Sequence, residues 1–128
     1  MDQSLTPYAD AVRAYAARDL VRVDTPGHQG THRALADLIG AATLRLDIQP
    51  LLDGIDHGPY PTPYDHSAAL AAQAWGAARA WFLTNGASQG NIAACLALRS
   101  LGTSVVVQRS VHSRVIDGRA LAGLDATF

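Results

Sequence analysis

The run Thr84-Asn85-Gly86-Ala87-Ser88-Gln89-Gly90-Asn91 lies between a short apolar stretch and a helical pattern. Gly86 permits a tight turn. Ala87, Ser88 and Gln89 then present backbone N–H groups at a helix start, where such groups lack intrahelical acceptors and the helix dipole adds partial positive charge. A corner of this kind binds phosphate, and the Ser88 hydroxyl is a further donor. It is not a Walker loop, because no lysine follows the glycines, and it is not the G-x-G-x-x-G dinucleotide fingerprint. The same residues also suit a plain strand-to-helix turn with a serine cap, and spacing alone does not choose between the two.

A second segment, Gln108-Arg109-Ser110-Val111-His112-Ser113, follows a β-branched run. Ligands of open parallel sheets collect beyond the carboxyl ends of the strands, so Ser88 and His112 are expected on one sheet edge. A histidine there can stack on a flat ring or hold a proton near neutral pH; it can equally cap a helix or sit on the surface. His28 and His32 are four apart, and His57 and His66 each follow an aspartate. A zinc site takes three or four convergent ligands, and no second pair stands at matching spacing, so no metal is expected.

The elements that must carry these residues read as follows. Thr6-Pro7 is an N-cap followed by proline at the first helical position, and Tyr8, Val12, Tyr15 or Ala16, and Leu20 recur at helical spacing, which predicts a helix over Thr6–Asp19. Thr25 to Gly30 is a turn. A short helix is expected from His32 to Ile39, stopped by Gly40. Asp53 to Pro63 is irregular, and Asp65 or Ser67 caps a third helix ending near Gly76. Ala80 to Thr84 reads as a buried strand. Ser88 to Leu101 reads as a helix with Ile92, Cys95, Leu96 and Leu98 toward a core and Gly102 as its stop. Ser104 to Gln108 is a strand, His112 to Ala122 a helix closed by Gly123, and Asp125 to Phe128 the opening of a third strand. The expected architecture is therefore α/β: a helical and irregular segment over residues 1–78, then strands of a parallel sheet joined by helical crossovers over 79–128. The last strand is unfinished at Phe128, which suggests an incomplete sheet.

Composition sets outer limits. A chain of 128 residues, 48% of them hydrophobic, forms one globular domain at most. A net charge of -1 with scattered basic residues excludes a dedicated nucleic-acid surface. No signal peptide is visible at Met1-Asp2-Gln3-Ser4, and the apolar stretch from Ala68 to Leu83 is too interrupted for a membrane span, so a cytoplasmic protein is expected. Cys95, the single cysteine, cannot form an internal disulfide and reads as a buried small hydrophobe. All ten basic residues are arginine. Any mechanism that needs an amine side chain is excluded for these residues alone.

Thr25-Pro26-Gly27-His28-Gln29-Gly30, Phe82-Leu83-Thr84-Asn85-Gly86-Ala87-Ser88-Gln89-Gly90-Asn91 and Arg109-Ser110-Val111-His112-Ser113 resemble three consecutive motifs of the ornithine/lysine/arginine decarboxylase family. Leu51 to Asp56 followed by Ala71 to Ala77 also resembles the stretch that precedes the first large-domain strand in that family. The resemblance runs from about Val23 to Phe128. It implies the fold type I architecture of pyridoxal-phosphate enzymes, of which this chain would be the N-terminal part. It implies further that Gly86, Ala87, Ser88 and Gln89 hold the phosphate of pyridoxal 5'-phosphate, that His112 stacks on the pyridine ring and orients the substrate, and that His28 lines the substrate site.

Two departures from the family pattern are local: Ala87 replaces a frequent hydroxyl residue, and Ser113 a frequent lysine. A third is larger. The Schiff-base lysine and the aspartate facing the pyridine nitrogen belong, by resemblance, beyond position 128. The reading is therefore the front segment of a basic amino-acid decarboxylase, inactive alone, which works as a homo-oligomer or with a complementing chain and touches neither nucleic acid nor membrane. The alternatives are a non-catalytic, degenerate module that binds a partner, and a fragment of another fold type I enzyme such as an aminotransferase.

Overall fold

A computed structural model describes residues 1–128. The chain divides into two compact units, Met1–Trp81 and Phe82–Phe128.

The first unit is helical: α1 (Pro7–Ala16), α2 (Arg33–Ile39), α3 (Ala41–Leu46) and α4 (Pro63–Ala74). Helix α1 begins after Thr6, as expected, but the Thr6 side chain accepts no N–H of the helix. Its hydroxyl donates to the Asp10 carboxylate at 3.0 Å. The first-turn N–H of Tyr8 is satisfied from another helix, by the Ser67 hydroxyl of α4 at 3.0 Å. Ser67 was expected to cap its own helix; it caps the neighbour instead. The rings of Tyr8 and Tyr64 meet edge to face at 5.6 Å beside this bond, a geometry that suits the aromatic quadrupole.

Helix α4 starts with a full capping box. The Thr62 side chain accepts from the Asp65 N–H at 3.2 Å, while Asp65 accepts from the Thr62 N–H at 2.8 Å and from its hydroxyl at 2.7 Å. The true signature was Thr62-Pro63-x-Asp65, with the threonine outside the helix and the aspartate three residues in. Gly40 ends α2 as expected, but the chain resumes at once as α3, an unexpected helix. Gly40 sits at φ 89, a conformation that costs glycine little, so it works as a joint between two helices. Leu44 of α3 is 1% exposed and is the most deeply buried large side chain. The irregular stretch between α3 and α4 is pinned by the Asp56 carboxylate, which accepts from the N–H groups of Leu51 at 3.0 Å and Leu52 at 2.7 Å.

The second unit runs α5 (Gly86–Leu98), a 3-10 turn (Arg99–Leu101), β1 (Ser104–Val106), α6 (Ser113–Ala122) and β2 (Asp125–Thr127). The two strands pair in parallel, with Val105 opposite Ala126, and α6 is their crossover. Flanking bonds, Asp125 N–H to Thr103 O and Val107 N–H to Thr127 O, both 2.8 Å, extend the ladder at each end. The core holds Cys95, Ala122 and Leu124, with Val105 and Val115 packed against it. Cys95 is buried and its thiol faces the Val115 carbonyl at 3.7 Å.

Two expectations fail in this unit. Ala80–Thr84 does not form a strand. A strand is made by its hydrogen-bonding neighbour, and the only sheet is the β1–β2 pair. Leu96 and Leu98, expected to face a core, are 48% and 45% exposed. At Gly118 it is Ile92 and Cys95 of α5 that meet α6, and Leu96 and Leu98 stay exposed.

Helices α5 and α6 touch at Gly118. A Cβ there would stand 3.0 Å from the Ile92 Cα and 3.1 Å from both the Cβ and Sγ of Cys95. Gly118→Ala should therefore destabilise the chain by about 1 kcal/mol, because overpacking of about 1–3 kcal/mol outweighs the roughly 1 kcal/mol of helix propensity gained. Urea denaturation followed by helix signal measures this, and a stabilised variant would show the helices are not in contact at that point.

Hydrogen bonds from the Thr62 hydroxyl and then its N–H hold the Asp65 carboxyl below its ordinary value of 3.8. A lowered folded-state pKa adds stability that is present above 3.8 and fades as pH falls through the folded value. Thr62→Ala should cost about 1 kcal/mol near neutral pH, and the gap from wild type should narrow below that ordinary value. Parallel denaturation at neutral and acid pH reads both effects; a gap that stays constant would show that Asp65 gains nothing from Thr62.

Candidate functional site

Helix α5 starts at Gly86, two residues before the expected Ser88, so Ala87 and Ser88 lie within its first turn and Gln89 at its end. The N-cap residue Asn85 makes no side-chain bond to the helix. The opening N–H groups are thus not covered by a cap from Asn85, and they are the groups a phosphate needs. Gly86 has φ 71, a left-handed conformation that a side chain resists. Ala87 and Gln89 are exposed and Ser88 is half-buried.

Gly90 was not singled out from the sequence and has a positioning role. A Cβ on it would come 2.9 Å from the Leu83 Cδ1. The missing side chain lets Leu83 lie against the first turns of α5, which draws the segment leading into Asn85 and Gly86 onto the helix. A small residue one turn into a helix was the available signal.

His112 is the N-cap of α6. Its Nδ1 accepts the Arg114 N–H at 3.1 Å, and the residue is exposed. Accepting at Nδ1 places the ring proton on Nε2, so the Nε2–H and the ring faces remain for other partners. The capping and ligand-facing readings of this histidine are therefore compatible, since they use different parts of the ring.

The element order directs both helix starts toward one edge of the sheet. Helix α5 leads through the 3-10 turn, Gly102 and Thr103 into the amino end of β1. Helix α6 leads through Gly123 and Leu124 into the amino end of β2. The two helices pack together and run counter to the parallel strands, so their amino ends lie where the strands' carboxyl ends emerge.

The first unit treats its histidines differently. His28 accepts the Gly30 N–H at Nδ1, 3.0 Å away, and its Nε2 lies 3.0 Å from the Asp47 carboxylate. Both ring nitrogens hold the Thr25–Gly30 turn in place, so a site-lining role would fall to the ring face alone. His32 caps α2, accepting from the Leu35 N–H at 3.3 Å. No group of three or more His, Cys, Asp or Glu is gathered to hold a metal. No helix is long and apolar enough to cross a membrane.

The chain matches the family described as Orn/Lys/Arg decarboxylase, major domain, over residues 6–128. It is 30% identical to the inducible ornithine decarboxylase of Lactobacillus sp. (strain 30a), over 95% of this chain and 18% of that protein. It is 28% identical to the arginine decarboxylase of Bacillus subtilis (strain 168), over 100% of this chain and 27% of the relative. The uncharacterized protein YaaO of the same organism is 30% identical over 96% of this chain and 26% of its own length. The chain spans about a quarter or less of the length of these relatives. No solved structure gives a significant match.

The corner and His112 should separate by substitution. Ser88→Ala should weaken inorganic phosphate and pyridoxal phosphate alike, by about 1.5 kcal/mol for a half-exposed bond to a charged group. His112→Asn keeps a capping side chain and should weaken only the aromatic ligand. Titration of each variant with both ligands measures this, and equal losses for both ligands in both variants would rule out a shared site.

Proposed function

Because the chain belongs to the Orn/Lys/Arg decarboxylase family, we propose that it is the N-terminal part of the cofactor-binding layer of a fold type I, pyridoxal-phosphate-dependent decarboxylase acting on a basic amino acid. Two features support this reading: the α5 corner that Asn85 does not cap, and His112 at the head of α6, which the element order directs toward the same sheet edge. The parallel β1–β2 pair joined by α6 also supports a parallel α/β layer.

In that role the N–H groups of Ala87 and Ser88, the Ser88 hydroxyl and the nearby Gln89 bind the phosphate, and Gly86 gives the turn its close approach. His112 lays a ring face on the flat cofactor and excludes water from it. Its Nε2–H is free to donate to a substrate carboxylate and orient it for departure, while the Arg114 N–H fixes the ring through Nδ1. Pyridoxal phosphate would supply the electron sink for the electron pair left when the carboxylate leaves. The cofactor's anchoring amine must come from elsewhere, because these residues contain no lysine. A complementing chain in the cytoplasm would fit that requirement, whereas a homo-oligomer of these residues would not, since each copy lacks lysine.

The absence of lysine from these residues fits a second reading equally, a non-catalytic relative of the same fold that binds a partner. With added pyridoxal phosphate and lysine, ornithine or arginine, the chain alone should release carbon dioxide no faster than free cofactor. Production together with a neighbouring frame that carries a Ser-x-His-Lys-like segment should restore turnover. Turnover by the chain alone, from a preparation shown free of host enzymes, would overturn the proposal; no turnover with such a partner would favour the non-catalytic reading.

A further inference from the structure

In the first unit three arginines gather around one small space, and of them only Arg22 takes part in an ion pair, a long one of 3.6 Å to Asp24. A small cavity of about 40 Å³ lies against α1 and the Thr25–Gly30 turn, lined by Arg18, Arg22, Arg45, Tyr15, Gly30 and Thr31 among others, with no carboxylate in its wall. The chain as a whole is slightly acidic, with a net charge of -1, so three guanidiniums around one small space are a local feature of the fold.

The Arg22 side chain is 9% exposed. Its Nη2 donates to the Asp47 carbonyl at 2.9 Å. Its Nε stands 3.6 Å from Asp24 Oδ1, too far for a hydrogen bond, and both of those buried atoms lack a partner. A buried cation so loosely paired is costly unless further negative charge is supplied. Arg18 and Arg22 both stand over the Tyr15 ring, at 5.7 and 5.8 Å from its centroid, which holds two like charges on one side chain. Arg18 and Arg45 take part in none of the four ion pairs.

Gly30 keeps this space open. It is buried, at φ 73, and a Cβ on it would lie 3.2 Å from Arg22 Nη1 and 3.6 Å from the Arg45 Cα. The turn that presents Gly30 is in turn fixed by His28, whose ring bonds the Gly30 N–H and faces Asp47. The sequence thus spends a glycine and a two-sided histidine bond on holding Arg22 and Arg45 around a gap.

We propose that the gap between Arg18, Arg22 and Arg45 binds a small-molecule oxyanion, a phosphate or carboxylate group, with Thr31 as a neutral hydroxyl donor. Guanidinium forks match both geometries, and a cavity of about 40 Å³ admits a head group while the rest of the ligand stays outside. The site is separate from the corner at Ala87 and Ser88 and stands or falls independently of it.

The test is titration of the full chain with sodium phosphate and with sodium acetate, against sodium chloride at equal ionic strength, followed by amide NMR shifts. Shifts at Gly30 and Thr31 should saturate with phosphate or acetate but not with chloride, and the tighter probe names the head group. Arg18→Gln and Arg45→Gln, both at exposed positions, should each weaken the saturating response about tenfold, and Ser88→Ala should leave it unchanged. Shifts that follow chloride equally, or that persist at wild-type affinity in both arginine variants, would overturn the proposal. Neither of those results bears on the α5 corner, whose response is read separately at Ala87 and Ser88.

Discussion

The contact between α5 and α6 at Gly118 is the interaction on which the candidate site depends. Backbone meets side chain there without an intervening Cβ, so the two helices lie closer than side chains would allow. Their close packing lets Cys95 reach the core shared with Ala122 and Leu124. It also fixes the relative position of two helix starts that share no hydrogen bond. The corner at Ala87 and Ser88 and the ring of His112 are far apart in sequence, and each sits at the head of a helix in this packed pair.

Backbone hydrogen bonding sets the second constraint. Three residues of β1 pair with three of β2, and the ladder closes because α6 returns the chain to the same sheet edge. Ala80–Thr84 is apolar enough for a strand, yet pattern supplies only the side-chain half of what a strand needs; the other half is a neighbour's N–H and C=O groups. The same shortage of neighbours leaves Trp81, Leu96 and Leu98 exposed. The relatives are about four times as long or more, and a larger sheet with a second helical layer is what such surfaces would suit.

The first unit is held by side chains acting across elements. Ser67 satisfies a backbone donor of α1 from α4, and Gln3 reaches the Leu70 carbonyl of the same helix at 3.2 Å. His28 serves two partners at once. Around Gly30, by contrast, three arginines gather with a single long ion pair, Arg22 to Asp24, between them.

Local chemistry was legible in the sequence. A helix start within two residues of Ser88, the helix end at Gly123, the burial of Cys95 and the parallel direction of the two C-terminal strands all follow from propensities and periodicities that act within a few residues. The family motifs were legible too, because they are local strings. Tertiary structure alone decided the rest. It drew the Ser67 hydroxyl away from its own helix to the Tyr8 N–H, while the α4 cap itself is the local Thr62–Asp65 box. It turned Gly40 from a stop into a joint, because Leu44 had a core to fill. It withheld the strand at Ala80–Thr84, because no neighbour pairs with it. It gathered Arg18, Arg22 and Arg45, whose spacing in sequence carries no period, around a glycine that only folding brings among them. Each of those outcomes depends on which groups become neighbours in space, and a linear pattern does not contain that information.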